Sequence, residues 1–477
     1  MKKEYIYLAL ILLGACIVRL YRFNNPIADW HAWRQADTSS VSRNFAKNGI
    51  DVLHPKFDDL SNVSSGKDNP LGYRFVEFPI YNVLQVFVYK TFGFFTIEEA
   101  GRLVTIFSSL SSVLFIYLLV KKHLNVWAGL MSAFIYSFIP YSIYYGRTIL
   151  PDTTTAMATL GSINFFNTWL EEKSNIFFTL SLLFTASAFL LKPYALFFTV
   201  PMVYLAYQKF GFSFFNKKQL WIFVIFSLLP LVLWRKWMTQ FPEGIPVNAW
   251  LLNGNGIRFR PSFFRWILYE RITKLISGYA GILLFILGIF KSYNLKDRLF
   301  FYSFLVSSII YVCVFATGNV QHDYYQILIL PTIAIFMGIG TVYLFLYIKR
   351  FSNNIIASLM VLLLVYCTFF FSWQMVKDYF NINNPAMVAV GVSIDRLIPQ
   401  DAKIIAPLNG DTSFLYQTKR QGWASFEKPL PEMVDLLEAD FLVLLNPKKE
   451  DFTGIGRSYK VVASTNSYVL FDLRKKP

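Results

Sequence analysis

A polar stretch, DWHAWRQADTSSVSRNF (29–45), interrupts a chain that is otherwise rich in Leu, Ile, Phe and Tyr. It contains His31, Arg34, Gln35 and Asp37, and it follows directly after the first apolar segment. A carboxylate can accept a proton, and a guanidinium group can bind an anion. These residue types could therefore perform acid–base chemistry beside a bound anion.

Further polar segments lie beside apolar runs elsewhere in the chain. They are the rest of the first loop (21–78), which ends near Glu77, YYGRTILPD with Arg147 and Asp152, LKPY with Lys192, and GNVQHDYYQ with His322 and Tyr324. If the intervening apolar runs cross a membrane, all of these segments emerge on one side. Polar groups that converge on one rim of a helix bundle make a site.

The composition excludes a soluble globular protein. Hydrophobic residues form 55% and aromatic residues 18% of the 477 residues, and the mean hydropathy is +0.43. The long apolar runs have the length that spans a bilayer. The net charge of +16 does not indicate nucleic acid as a partner, because the basic residues form short clusters between the apolar runs. We predict a polytopic protein of the lipid bilayer that binds no nucleic acid.

Charge and parity predict the topology. Lys2 and Lys3 precede the first apolar run, and the positive-inside rule places them in the cytoplasm. We interpret this run as an uncleaved span, although LLGAC (12–16) could also end a lipoprotein signal peptide. Ten later runs give about eleven spans: 103–120, 124–143, 153–170, 175–191, 193–208, 219–234, 278–291, 299–317, 325–348 and 355–375. Residues 79–97 would reverse the charge pattern if they crossed, so we predict a juxtamembrane or re-entrant helix there.

The composition changes after Trp373. Residues 376–477 contain an amphipathic pattern at 385–398, a strand pattern AKIIAPL, a helix-to-strand pattern in PEMVDLLEADFLVLLNP, and a hairpin pattern KVVASTNSYVLFDL. We predict a small extracytoplasmic α/β domain at 376–477. The fold class is therefore an all-α polytopic membrane bundle (1–375), with an outer loop at 21–78, followed by this soluble domain.

The motifs together resemble the GT-C superfamily of polyprenyl-phosphate-sugar glycosyltransferases. The resemblance rests on WRQAD, SRNF and NGIDVLHP followed by EFPIYN, and on YYGRTILPD. Within the superfamily, the chain is similar to protein O-mannosyltransferases and to the lipid A aminoarabinose transferase. The resemblance covers about residues 1–210 by motif and the remainder by architecture. It implies a polyprenyl-phosphate-linked sugar donor, a glycan, lipid or protein acceptor, and transfer with inversion outside a bacterial plasma membrane.

The family chemistry implies roles for the polar residues. An acceptor hydroxyl attacks the anomeric carbon and the lipid phosphate leaves, so the site needs a carboxylate base and cations for the leaving group. Asp37 is the predicted base and Asp152 the other catalytic candidate. The predicted substrate contacts are Arg34, Arg147 and Lys192 for the phosphate, with His31, Gln35, Glu77, His322 and Tyr324 around the donor. The sequence departs from the family in two ways: the first motif has no adjacent acidic pair, and Phe78 stands where some relatives carry a lysine.

Several of these residues have structural alternatives. Asp37 could cap a helix that begins at Thr38, and Arg34 could pair with Asp29 or Asp37. Arg147 could pair with Asp152 at the end of a span. Trp30 and Trp33 could be anchors at the membrane interface instead of groups that stack on a sugar. Asp58 and Asp59 could belong to a solvated turn.

A metal ion and other functions also remain open. His31 and His322, with Asp323, could bind a divalent metal, but their spacing is not that of a metal site, so no cofactor is predicted. A lipid-linked glycan ligase or polymerase is an alternative function. A lipid-linked sugar transporter is disfavoured, because its charged groups are expected near the bilayer midplane on broken helices, often in repeated halves.

Overall fold

A computed structural model describes residues 3–291 and 293–475. Lys2, one of the two lysines behind the predicted orientation, lies outside these residues. The α-helices of the described residues are α1 (Lys3–Arg19), α2 (Ala32–Asn48), α3 (Ile80–Phe92), α4 (Ile97–His123), α5 (Val126–Phe138), α6 (Pro140–Tyr145), α7 (Pro151–Glu172), α8 (Asn175–Leu191), α9 (Val200–Phe210), α10 (Lys218–Met238), α11 (Trp250–Asn253), α12 (Pro261–Phe264), α13 (Gly281–Phe290), α14 (Leu295–Val314), α15 (Ala316–Gln321), α16 (Leu330–Ile348), α17 (Asn354–Val376), α18 (Pro385–Leu397), α19 (Ser413–Thr418), α20 (Leu430–Asp435) and α21 (Lys449–Gly454).

Shorter helices and strands complete the secondary structure. The 3-10 helices are Pro193–Thr199, Gly211–Asn216, Pro242–Gly244, Ile257–Phe259, Asp323–Leu328, Lys377–Phe380 and Ile455–Arg457, and a π-helix lies at Arg265–Ile276. The strands are β1 (Ile404–Ile405), β2 (Gly422–Trp423), β3 (Phe441–Leu445), β4 (Lys460–Ser464) and β5 (Tyr468–Asp472). The predicted helix at 385–398 and the three predicted strand regions are confirmed, whereas β2 and α19 were not predicted.

The chain is a multi-pass membrane protein, as its composition predicts. Five helical segments of the described residues are long and apolar enough to cross a membrane, and a bent helix pair, with an angle of 114°, gives a sixth if it is counted as one span. The five are Ile97–His123, Lys218–Met238, Leu295–Val314, Leu330–Ile348 and Asn354–Leu397. Shorter apolar helices, including α5 and α8, occupy other predicted runs.

Contacts divide the chain into two compact units. Unit 1 comprises 1–23, 102–234 and 248–379, and unit 2 comprises 24–101, 235–247 and 380–477. The first loop therefore groups with the C-terminal α/β domain by contacts. The predicted boundary at residue 375, which was drawn from composition, remains a prediction about where the membrane domain ends.

Glycines allow two helices of unit 1 to pack closely. A β-carbon at Gly288 in α13 would lie 1.8 Å from the carbonyl oxygen of Phe336 in α16, and one at Gly340 in α16 would lie 1.9 Å from that of Leu284. Small residues let helix backbones approach each other in a membrane, where packing contacts drive association. Any larger side chain at these positions must separate α13 from α16.

Arg19 ties the first helix of unit 1 to its neighbours. Its buried guanidinium donates to the hydroxyl of Ser109 in α4, to the carbonyl of Ser137 in α5 and to the hydroxyl of Ser142 in α6, each at 3.0 Å. A buried cation is tolerated when its donors are satisfied. The contact with α6 fixes the helix that leads directly to the YYGRTILPD segment.

The sheet of unit 2 has apolar residues on both faces. Its strand order is β2-β1-β3-β5-β4, with β2, β1 and β3 parallel and β5 antiparallel to its neighbours. Because successive side chains of a strand point to opposite faces, Ile404 packs with Met387 and Ile394 of α18, while Ile405 packs with Met433 of α20. The α/β domain is thus a layer of helix on each side of a twisted sheet.

The first loop extends the edge of this sheet. Asp59 forms a parallel bridge with Gly422, the backbone N–H of Leu60 donates to the Gly422 carbonyl at 2.7 Å, and the Gly422 N–H donates to the Asp58 carbonyl at 2.9 Å. Leu60 also enters one apolar core of the domain and Ala28 enters the other. The interpretation of Asp58 and Asp59 as a solvated turn is wrong, because both are buried.

Candidate functional site

Asp37 lies in the middle of a helix. α2 begins at Ala32, preceded by His31 in the left-handed backbone conformation (φ 55°), so Asp37 is well inside the helix. The alternative role of Asp37 as a helix cap is therefore wrong. The helix begins six residues before Thr38, because residues 32–36 are themselves helical, and a capping pattern at Asp37 does not reveal this.

Both oxygens of the Asp37 carboxylate accept hydrogen bonds. The Thr412 hydroxyl donates to Oδ1 at 2.7 Å, and Nη2 of Arg74 donates to Oδ2 at 2.6 Å. The Asp37 side chain is 5% exposed and that of Arg74 is 10% exposed. The carboxylate is thus held in one orientation by a cation and a hydroxyl, neither of which was predicted from the sequence.

Arg74 is positioned by its own local structure. Lys56 and Tyr73 form an antiparallel bridge, the Arg74 N–H donates to the Pro55 carbonyl at 2.8 Å, and the guanidinium lies 4.8 Å from the centre of the Phe57 ring. Its Nε is buried and has no hydrogen-bond partner within the described residues. The bridge therefore presents a guanidinium that retains one unused donor.

Arg34 and Glu77 form a second ion pair beside Asp37. Nη2 of Arg34 lies 2.7 Å and 3.1 Å from the two Glu77 carboxylate oxygens, and Nη1 donates to the Thr38 hydroxyl at 3.3 Å. Glu77 therefore pairs with a cation, while its predicted role in orienting that cation or contacting the sugar stays a prediction. Arg34 thus has Glu77 as an ion-pair partner, which the suggested pairings with Asp29 or Asp37 did not include.

These residues line one small polar cleft within unit 2. The cleft is narrow, with a cavity volume of about 10 Å³, and its polar lining is Arg34, Asp37, Thr38, Arg74, Glu77 and Asn82. Asn82 donates to the Thr38 carbonyl at 2.7 Å, so α3 contributes to the wall. Two carboxylates, two guanidinium groups and an amide in one cleft can bind a hydroxylated or anionic ligand.

Two other predicted residues lie at the start of α2. Nε2 of Gln35 donates to Oδ1 of Asp29 at 2.7 Å and to the Trp30 carbonyl at 3.2 Å. The Trp30 and His31 ring centres are 5.0 Å apart, and Trp30 is 38% exposed. Gln35 and Asp29 therefore fix the turn that places His31 before the helix, while the roles of Trp30 and His31 toward a ligand stay predictions.

Other buried carboxylates surround Asp37. Burial raises the pKa of Asp59 to about 7, although its carboxylate accepts from the backbone and the hydroxyl of Ser61. Burial also raises the pKa of Asp411, and it raises that of Asp58 even though Arg43 donates to this carboxylate. Asp37 contributes an unfavourable charge interaction to all three. These three carboxylates are therefore close enough to Asp37 for their charges to interact with it.

In unit 1, Asp152 pairs with Lys192. Asp152 lies in the first turn of α7, Nζ of Lys192 is 3.6 Å from its Oδ2, and the Tyr194 hydroxyl donates to Oδ1 at 3.4 Å. Arg147 donates instead to the Arg22 carbonyl at 3.1 Å. The suggested Arg147–Asp152 pair is wrong, because the chain turns between the two residues and Lys192, at the break after α8, takes that place.

His322 and Tyr324 lie together in unit 1, around a buried carboxylate. Their rings stack with centres 5.4 Å apart. Between them, Asp323 accepts from the Tyr145 hydroxyl at 2.7 Å and from the Tyr379 hydroxyl. The tyrosines therefore fix the segment that carries both predicted ligand contacts. Within residues 3–291 and 293–475, no group of three or more His, Cys, Asp or Glu side chains is arranged to hold a metal ion.

Comparisons with known proteins agree with this architecture. A family model described as dolichyl-phosphate-mannose-protein mannosyltransferase matches residues 76–237. ArnT from Cupriavidus metallidurans bound to undecaprenyl phosphate superposes with a TM-score of 0.66 at 12% identity, over 98% of this chain and 97% of that one. The chain has the GT-C fold. The resemblance predicted from the motifs is thereby confirmed.

A second solved structure has the same fold in a longer chain. The Archaeoglobus fulgidus oligosaccharyltransferase AglB, in complex with an inhibitory peptide and a dolichol-phosphate, gives a TM-score of 0.57 at 12% identity, over 94% of this chain and 70% of that chain. No curated protein matches the chain in sequence. The family match includes Glu77, Arg147, Asp152 and Lys192 but begins after Asp37.

Proposed function

We propose that the protein is a glycosyltransferase that moves a sugar from a polyprenyl-phosphate donor to an acceptor hydroxyl on the extracytoplasmic face of the membrane. The observation that carries the proposal is the buried Asp37 carboxylate in the cleft with Arg34, Arg74 and Glu77. The fold supports it, since ArnT was solved with undecaprenyl phosphate and AglB with dolichol-phosphate. The N-terminus is then cytoplasmic and the α/β domain extracytoplasmic, as the lysine distribution predicts.

The proposed reaction is a single displacement. The acceptor oxygen forms a bond to the anomeric carbon, the bond from that carbon to the phosphate oxygen breaks, and polyprenyl phosphate leaves with the electron pair. The acceptor proton passes to Asp37, which acts as general base. Attack from the side opposite the leaving group inverts the anomeric configuration.

The remaining predicted residues keep their proposed roles. Arg34, held by Glu77, is a cation of the cleft that can contact phosphate or sugar. Lys192 and Arg147 are proposed ligands of the lipid phosphate, and Asp152, which pairs with Lys192, stays the other catalytic candidate. His31, Gln35, His322 and Tyr324 are proposed donor contacts. These assignments carry over from the family resemblance and from the local geometry of each unit.

The proposal is tested with purified protein in liposomes. Polyprenyl-phosphate sugars of several kinds are supplied with a hydroxylated acceptor, and the release of polyprenyl phosphate is measured by mass spectrometry. Release that depends on the acceptor and is abolished by Asp37→Asn supports the proposal. If instead only preassembled glycans on a lipid carrier are consumed, the protein is a ligase of lipid-linked glycans, a function that the likeness to an oligosaccharyltransferase favours as the second candidate.

A further inference from the structure

The hydroxyl of Thr412 lies between two acceptors. Its oxygen is 2.7 Å from Oδ1 of Asp37 and 3.2 Å from the backbone carbonyl oxygen of Trp33. A threonine hydroxyl has one hydrogen and two lone pairs, so it can donate to only one of these acceptors at a time. An ionised Asp37 takes that hydrogen bond, because hydrogen bonds to charged groups are stronger than those to neutral ones.

The other partner of Asp37 has no such freedom. Arg74 donates to Oδ2 at 2.6 Å, and a guanidinium group offers donors but no acceptor. A proton on Oδ2 would therefore face another donor. A proton on Oδ1 can be accepted by the Thr412 oxygen if that hydroxyl turns its own hydrogen to the Trp33 carbonyl.

On this basis we propose that Thr412 changes from hydrogen-bond donor to hydrogen-bond acceptor when Asp37 takes up the proton of the acceptor hydroxyl. The inference rests on the proposed function, in which Asp37 is the base. Thr412 does not touch the substrate and is a positioning residue: it stabilises the carboxylate before the transfer and the carboxylic acid after it. The O–H bond of the acceptor breaks as an O–H bond forms on Asp37, and no other covalent bond changes at Asp37.

The local structure explains why this hydroxyl is free for the task. Thr412 is the residue before α19, where a threonine side chain usually accepts from the first backbone N–H groups of the helix, but it forms no such bond here. Asp411 instead accepts from the Ser413 N–H at 2.8 Å. Asp411 thus accepts from the first backbone N–H of α19 in place of Thr412, and the Thr412 hydroxyl is directed at Asp37.

The turn before Thr412 holds it in place. Asn409 and Gly410 adopt left-handed conformations, with φ of 53° and 81°, and the Gly410 N–H donates to the Ala424 carbonyl at 3.1 Å. The Asp411 N–H donates to the Leu408 carbonyl at 2.9 Å. The turn follows β1, so the position of the hydroxyl is set by an inner strand of the sheet.

Other charges also act on Asp37 and must be kept constant in a test. The charged groups around it are Arg74 and Arg34 as cations and Glu77, Asp58, Asp59 and Asp411 as carboxylates. The cations attract the Asp37 carboxylate and the other carboxylates repel it. A change at Thr412 alone alters none of these charges, so its effect reports the hydroxyl.

The test compares two substitutions of one residue. Thr412→Val has nearly the same shape but no hydroxyl, and Thr412→Ser keeps the hydroxyl. Loss of a donor to the ionised carboxylate moves the acidic limb of the pH profile of kcat to higher pH and lowers kcat by about tenfold or more, with the KM for the donor within about twofold of wild type. Thr412→Ser retains the acidic limb of wild type.

A matched control is available in α19, the helix that follows Thr412. Thr418 is fully buried, and its hydroxyl donates to the Leu415 carbonyl at 2.7 Å, so Thr418→Val is expected to leave the pH profile unchanged. If Thr412→Val also leaves the profile and kcat unchanged while Asp37→Asn abolishes transfer, the inference is overturned and the proposed function stands. A wild-type enzyme that releases no polyprenyl phosphate from any donor overturns the proposed function itself.

Thermal unfolding then decides the inference without turnover. Thr412→Val is expected to lower the melting temperature of the wild-type protein more than it lowers the melting temperature of Asp37→Ala, with both pairs measured at pH 8. Equal shifts in both backgrounds would show that the hydroxyl is not coupled to the carboxylate. If Thr412→Val does not fold, Thr412→Ala is used in the same comparison.

Discussion

Removal of the Arg74 cation tests how strongly the cleft depends on its buried ion pair. The pair is separated by 2.6 Å, with side-chain exposures of 10% for Arg74 and 5% for Asp37. At an effective dielectric constant of about 20, the gross attraction is about 6 kcal/mol. Loss of one partner leaves a buried charge, so Arg74→Met is expected to destabilise the protein by about 3 to 5 kcal/mol.

A double-mutant cycle separates this pair from simple packing. Asp37→Asn is also expected to destabilise the protein, because it leaves the buried Arg74 cation without its anion and an amide has only one oxygen for the two donors, Thr412 and Arg74. The double variant Asp37→Asn, Arg74→Met lacks the buried charge and is expected to recover about 2 kcal/mol or more relative to Arg74→Met. Unfolding by denaturant in detergent, followed by tryptophan fluorescence, supplies the four free energies.

A surface pair provides the control. Lys419 and Asp395 are 2.8 Å apart, but Lys419 is 56% exposed, so Lys419→Met is expected to change stability by less than about 1 kcal/mol. Equal losses for Lys419→Met and Arg74→Met, or strictly additive effects at Arg74 and Asp37, would refute the account of the cleft as a buried charge pair.

Three more changes have defined outcomes. Asp37→Asn is expected to lower kcat by about 10² to 10⁴-fold with donor binding retained, and a loss below about tenfold would transfer the role of base to Asp152. Because the raised pKa of Asp59 lets the folded state hold a proton that the unfolded state has released, stability is expected to fall by up to about 4 kcal/mol between pH 4 and 7. Asp59→Asn is expected to reduce this dependence of stability on pH, with Asp58 and Asp411 contributing the remainder. If thermal melts from pH 4.5 to 8 show the same dependence in the variant as in wild type, the prediction is wrong. In a variant without the native cysteines, a cysteine at Ser64 is expected to react with an impermeant reagent from outside and one at Asn125 is not; labelling of Asn125 from outside would contradict the eleven-span count.

The elements with regular patterns could be predicted from the sequence. The helix α18 and the hairpin β4 and β5 follow from period-specific apolar patterns, which depend on local sequence alone. The pairing of Glu77 with a cation could be anticipated as well, since a carboxylate in a predicted site needs a partner. Local sequence patterns are sufficient to predict a residue's environment where the helix or strand that contains the residue determines that environment.

The remaining features depend on contacts between distant segments. Asp58 and Asp59 lie among turn-forming residues, and only their pairing with Gly422 buries them. Arg74 and Thr412 belong to no motif, because the sequence does not show that a bridge and a turn each direct one side chain at Asp37. An arginine in a loop is only a weak sequence signal of an ion pair, although a buried carboxylate such as Asp37 favours a nearby cation.

The attachment of the first loop to the sheet has a consequence for biosynthesis. Thr412 follows Asp37 by 375 residues, and the strand-like contact of Asp59 also waits for Gly422. Contacts of such long sequence separation form late, after every intervening helix has been inserted. Until the α/β domain has been synthesised, Asp37 in α2 lacks the Thr412 hydroxyl as a partner, and Leu60 of the first loop lacks the apolar core in which it is buried. The nascent chain is therefore expected to be inert as a transferase, and to need protection from aggregation, until its α/β domain has folded.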